Sequence, residues 1–223
     1  SSIKNYRADW AKNGLLLFIV FYGFTFFAQE GNDSSRYILF FNELHNSSEA
    51  DFKTFSSMFY SMGVGGQRSV DIYGPTVAFI VSRFTNDPRI LYSVIALIFG
   101  FFYTRNIWII IEKAEQNHSY LLKFLLIVFA FIIPIWSING IRFWTASQVL
   151  FYGASRFFLE GKRSGLFIST LTIFIHFSFL FPVLLLFLYL IIGNRPKLYF
   201  ALFIFGMFFS EINITFLSQV MIN

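Results

Sequence analysis

No cysteine occurs anywhere in this 223-residue chain, which excludes disulfides, thiolate metal sites and a cysteine nucleophile. Histidine is nearly as scarce. The three that exist, His45, His118 and His176, lie far apart without metal-ligand spacing, so no metal site is expected. Charge is sparse too: 13% of residues are Asp, Glu, Lys or Arg against 56% hydrophobic, and the mean hydropathy is +0.62. A water-soluble domain of that composition would expose too much apolar surface. Nothing at the start reads as a signal peptide, since the chain opens on the polar Ser1-Ser2-Ile3-Lys4-Asn5-Tyr6-Arg7. It opens without methionine, so a fragment of a longer chain is expected.

What is present is a series of continuous apolar runs near the ~20 residues that cross a bilayer as helix, separated by short polar segments. A transmembrane β-barrel would alternate apolar and polar residues instead, so the fold class expected is all-α. The reading is one domain over 1–223, a polytopic transmembrane helical bundle with short amphipathic extracytoplasmic helices and at least one incomplete span. The 34 phenylalanines read as lipid-facing filler and codon bias more simply than as an aromatic function. The net charge of +5 sits in turns between apolar runs, as in cytoplasmic loops, so no nucleic-acid partner is expected.

The first run, Gly14 to Ala28, follows Lys4, Arg7 and Lys12, which places its start inside the cell. Gln29 to Asp71 carries Glu30, Asp33, Glu43, Glu49 and Asp51 against Arg36, Lys53 and Arg68, and reads as an extracytoplasmic loop. Within it Tyr37, Phe40, Phe41 and Leu44 recur at helical spacing, as do Phe52, Phe55 and Phe59, which predicts short amphipathic helices on the membrane surface. Gly63, Gly65 and Gly66 match neither a Walker loop nor a dinucleotide fingerprint.

Further runs are Ile72 to Phe84, Ile90 to Ile111, Tyr120 to Ile138, Ile141 to Leu159, Leu166 to Ile192 and Leu198 to Leu217. If each crossed once, the basic turn Lys162-Arg163 would lie outside. Treating Ile72 to Phe84, the shortest and interrupted early by Gly74-Pro75, as a half-membrane segment restores the parity. Leu166 to Ile192 is too long for one upright helix and contains Pro182, so a hairpin turning near His176 to Pro182 is expected. That brings His176 and the turn Ser137-Ile138-Asn139-Gly140-Ile141-Arg142 to the outer face.

Ionisable groups in such a chain are functional candidates by default. Arg142 can grip a phosphate or carboxylate bidentately, or snorkel to the headgroups. Arg156 lies further down the same run. His176 can act as a base or bond a neighbouring helix. Asp33 and Asp71 can each serve as a base or cap the helix that follows.

In order along the chain, Gly31-Asn32-Asp33-Ser34-Ser35-Arg36-Tyr37, Asp71-Ile72-Tyr73-Gly74-Pro75, Ile141-Arg142 with Thr145-Ala146, and Phe174-Ile175-His176-Phe177-Ser178 resemble segments of the bacterial polysaccharide repeat-unit polymerases of the Wzy-like, EpsG type. The resemblance covers about Lys4 to Lys197. It implies a multi-pass protein of the bacterial inner membrane. Its activity would be a glycosyltransferase that joins undecaprenyl-pyrophosphate-linked oligosaccharides into O-antigen, capsule or exopolysaccharide at the outer face. Neither cofactor, metal nor nucleotide sugar is implied. The catalytic candidates are Arg142, His176 and Asp33, with Tyr37, Arg68, Asp71, Asn139 and Arg156 as substrate-binding candidates. Candidate partners are the lipid-linked oligosaccharide, membrane lipid, a chain-length regulator and other polysaccharide assembly proteins. A transporter or flippase moving a lipid-linked or anionic solute is the alternative, although no internal repeat supports it. An acyltransferase centred on His176 is a third.

Overall fold

Helix is the only regular structure among the described residues, which in the computed structural model are 2–26, 33–46, 71–117, 120–121, 124, 128 and 140–206. The all-α expectation therefore holds at that level. The chain forms two compact units, Ser1–Leu180 and Phe181–Asn223.

In the first unit, α1 spans Ser2–Thr25 and is longer than the apolar run that predicts it, because the helix continues back through the polar segment holding Asp9 and Lys12. It runs antiparallel to α4, Pro88–Asn117. Small residues set this approach: Gly23 lies against Ala96 and the Tyr92 carbonyl, and Gly100 against Leu16 and Ile19. Pro88 opens α4 where no helical N–H is needed, and the Asp87 carboxylate accepts the Arg89 N–H at 2.9 Å. By length and composition, the stretch Pro88–Glu112 is the one candidate membrane span among the described residues.

Helix α2, Asp33–Asn46, forms where the apolar spacing predicts. Its environment differs from the expectation. Tyr37, Phe40, Phe41 and Leu44 are all buried in the protein core with Leu91, Tyr92, Ile95 and Ile141, rather than lying on a membrane surface. The reason is α3, Tyr73–Ser82, which runs alongside in the same direction. Gly74 leaves room for the Tyr37 ring, and His45 Nδ1 meets the Ser82 carbonyl at 3.0 Å. With 10 residues, α3 reaches about 15 Å, half of a bilayer's hydrocarbon thickness. The second amphipathic stretch, Phe52 to Phe59, and the glycines beyond it lie outside the described residues.

Helices α5, Ile141–Glu160, and α6, Ser164–Ile175, form an antiparallel hairpin. Gly161 at φ 68° ends α5, and its N–H and that of Lys162 return to the Phe157 and Arg156 carbonyls, each at 3.1 Å. Gly153, Gly165 and Ser169 face one another so closely that a Cβ on either glycine would strike backbone of the other helix. Between α4 and α5, the Asn106 amide donates to the Gln148 carbonyl oxygen and side-chain oxygen at 2.9 and 2.7 Å, both residues being fully buried.

Where a hairpin turn is expected near His176 to Pro182, the helix is interrupted at His176, whose backbone is extended (φ −151°, ψ 117°). A single 3-10 turn, Phe177–Phe179, follows. Helix α7, Leu180–Ile192, begins at the boundary of the second unit, with Pro182 in its first turn. There Gly193, at φ 73°, ends α7 and accepts the Tyr199 hydroxyl at 2.9 Å, and Tyr189 and Tyr199 stack before the helix α8, Pro196–Gly206.

Candidate functional site

Three chain segments, far apart in sequence, meet around one carboxylate. Asp71 lies two residues ahead of α3, Arg142 is the second residue of α5, and His176 is the break after α6. Arg142 Nη1 donates to Asp71 Oδ2 at 2.8 Å, and His176 Nδ1 lies 3.2 Å from the same oxygen. The other oxygen, Oδ1, accepts the Phe177 backbone N–H at 2.7 Å.

Asp71 is thus a cap, but not of the helix that follows it. Ile72 precedes α3 and supplies no side-chain cap. The Asp71 carboxylate instead receives an N–H freed by the break at His176, while the Ile72 N–H donates to the Phe174 carbonyl at 3.0 Å. Backbone groups exposed by a helix break are costly unless partnered, and the 71–72 segment partners one on each side of this one.

The electrostatics run in the same direction. A cation at the N-terminal end of a helix opposes the helix dipole, so Arg142 is unfavourably placed on α5 alone. Asp71 offsets that cost with a charge-assisted bond. The Asp71 side chain is 7% exposed, against 28% for Arg142 and 25% for His176, so the anion is sunk behind the two groups that remain partly accessible.

Aromatic rings enclose the site. The Phe143 ring meets the His176 imidazole edge-on at 5.7 Å and Phe179 at 5.4 Å, which restricts the imidazole. The Arg142 guanidinium carbon lies 6.0 Å from the centre of the Tyr37 ring, which itself is buried against Gly74. Phe143 and Phe179 are the residues that sequence reasoning missed; the one signal was their nearness in sequence to Arg142 and His176.

Of the residues singled out from sequence, Asp71, Arg142, His176 and Tyr37 come together. Asp33 begins α2, but its side chain lies outside the described residues, as do Arg68 and Asn139 entirely. Arg156 does not join them. It is fourteen residues after Arg142 on α5, about 21 Å along the helix. There its Nη1 donates to the Tyr152 hydroxyl at 3.3 Å and its Nε lies 3.6 Å from Glu160 Oε2. Tyr152 and Glu160 border a cavity of about 170 Å³ with Lys12, Arg105, Trp108 and Glu112, so the start of α1 and the ends of α4 and α5 share that region. Among the described residues no three His, Asp or Glu side chains gather as a metal site would require.

No protein-family model, curated protein or solved structure matches this chain.

What the arrangement can do follows from its parts. A guanidinium held by Asp71 and 28% exposed is a positioned cation, the kind of group that complements an anionic oxygen. An imidazole whose Nδ1 lies 3.2 Å from the carboxylate is a group able to accept a proton. Side by side, they pair an anion binder with a base.

Proposed function

We propose that the chain is a polytopic membrane protein whose Asp71-Arg142-His176 cluster performs glycosyl transfer between lipid-linked oligosaccharides at the outer face of the bacterial inner membrane. The membrane reading draws support from the bulky side chains exposed on the helices, among them Leu17, Phe18 and Phe21 on α1 and Phe167 on α6. Helices that pack through Gly23, Gly100, Gly153 and Gly165 follow the small-residue packing common in bilayers. The buried Asn106-Gln148 amide pair is the kind of polar contact that joins helices there. A helix broken at His176 is tolerated at membrane depth where protein satisfies its backbone.

The observation that carries the catalytic reading is the convergence of Arg142 and His176 on Asp71. An acceptor sugar hydroxyl attacks the anomeric carbon of the donor, forming the new glycosidic C–O bond. The old C–O bond to the undecaprenyl pyrophosphate breaks, and its electron pair leaves on the pyrophosphate oxygen. Arg142 stabilises that developing charge. The hydroxyl proton passes to His176 Nε2, with Asp71 orienting both groups. Asp71 is a positioning residue in this scheme because both its oxygens are engaged.

Reconstitution in vesicles with lipid-linked repeats tests the proposal. The wild-type protein should lengthen them, and Arg142→Ala should leave single repeats at rates lowered by at least about a hundredfold. Movement of the lipid-linked repeat across the vesicle without lengthening would instead favour a carrier, for which a broken helix is also typical.

A further inference from the structure

A second cavity, of about 530 Å³, opens where the end of α1, the start of α4 and α2 meet, lined by Phe24, Thr25, Phe26, Ile38, Pro88, Arg89 and Tyr92. That volume is in the range of small-molecule sites. We infer that this cavity binds an anionic membrane lipid, with the phosphate at Arg89 and hydrocarbon against Phe24, Phe26 and Ile38.

The chemistry of the wall selects the ligand. Tyr92 presents its ring, because its hydroxyl already donates to the Ser34 carbonyl at 2.7 Å. The Thr25 hydroxyl likewise donates to the Tyr22 carbonyl at 3.0 Å. With those donors used inside the protein, the wall is apolar and aromatic, Phe26 packing on Tyr92 at 4.8 Å between ring centres. A sugar would find few partners there. Arg89 is the single charged residue in the lining among the described residues, and its guanidinium lies 6.0 Å over the Phe24 ring at the exposed edge. The neighbouring Asp87 accepts the Arg89 backbone N–H through Oδ1. One cation at the edge of an apolar recess complements a molecule with a phosphate at one end and hydrocarbon at the other. Helix ends are also where headgroups of a surrounding bilayer lie.

The inference rests on the membrane reading above and is independent of glycosyl transfer. The protein is placed in phosphatidylcholine vesicles doped with a photoactivatable phosphatidylglycerol, or with its phosphatidylcholine counterpart. Labelling should favour phosphatidylglycerol and map to Phe24–Phe26 and Pro88–Tyr92. Arg89→Gln should lower phosphatidylglycerol capture about tenfold, to the phosphatidylcholine level, while Arg89→Lys retains part of it. Ile38→Trp, which fills the cavity, should lower capture of both lipids. Equal labelling by the two lipids in an inserted protein, labels mapping elsewhere, or unchanged capture by Arg89→Gln would overturn the site. Failure to insert at all would overturn the membrane reading itself.

Discussion

Two charged regions of the first unit each set one carboxylate against two basic side chains, yet they are organised differently. Around Asp71 a carboxylate, a guanidinium and an imidazole come from three segments and close over one another, with the anion 7% exposed. Around Glu160 the partners Arg156 and Lys162 are neighbours in sequence, and the carboxylate is 37% exposed. A pair between sequence neighbours in water contributes little, whereas removing one partner of a buried pair leaves an uncompensated charge. The difference shows where function is to be sought: in charges that the tertiary fold had to assemble.

Removing the charge but not the shape of Asp71 is the sharpest way to break the contrast. Asp71→Asn keeps an acceptor for the Phe177 N–H and loses both charge contacts. It should cost about 3 kcal/mol, read from thermal unfolding of the purified protein in detergent. A loss no greater than that from Glu160→Gln would erase the distinction between the regions.

The α5-α6 hairpin carries Arg142 at one end and the Glu160 cluster at the other, so its packing should matter more for the first. Gly165→Ala drives a methyl group into the Gly153 carbonyl and the Phe157 backbone, and should destabilise by about 2 kcal/mol. Because His176 hangs from the far end of α6, that variant should also lose activity. Full activity together with a normal unfolding temperature would mean that the close approach is not needed.

At the Glu160 end the expected effects are smallest. The Lys162 ammonium, 2.8 Å away, holds the Glu160 carboxyl below its usual range. A carboxyl lowered by folding stabilises the protein above its ordinary value of 4.5, and that contribution is lost as the pH falls through the lowered folded value. Glu160→Gln should therefore change stability by less than about 0.5 kcal/mol at neutral pH, and the small difference from wild type should vanish under strong acid. A difference that grew on acidification would reverse the assigned direction.

The contrast also marks what could be read from the sequence. Helical periodicity gives α2 directly, since Tyr37, Phe40, Phe41 and Leu44 define one face. It cannot say what that face meets, and Gly74, which makes room for Tyr37, decides that from 37 residues away. The excess length of Leu166 to Ile192 announces a break, but its position depends on Asp71 and Ile72, about a hundred residues earlier, which partner the freed backbone groups. The Asn106-Gln148 pair, 42 residues apart, and the Gly153-Gly165 contact across the α5-α6 turn went unread as well. Arg142 and His176 were legible as lone ionisable groups in apolar surroundings, and the resemblance set Asp71 beside them as a substrate-binding candidate; that its carboxylate contacts both was not legible, because no local pattern encodes it.

The claim that these residues act as a unit is tested most directly by a double-mutant cycle on lipid-linked repeat elongation in vesicles, using Arg142→Ala, His176→Ala and the double variant. Groups that work together fail together, so each single variant should lose most of the activity and the double variant should be scarcely worse than either. Losses that multiply, or elongation at the wild-type rate by Arg142→Ala, would contradict it.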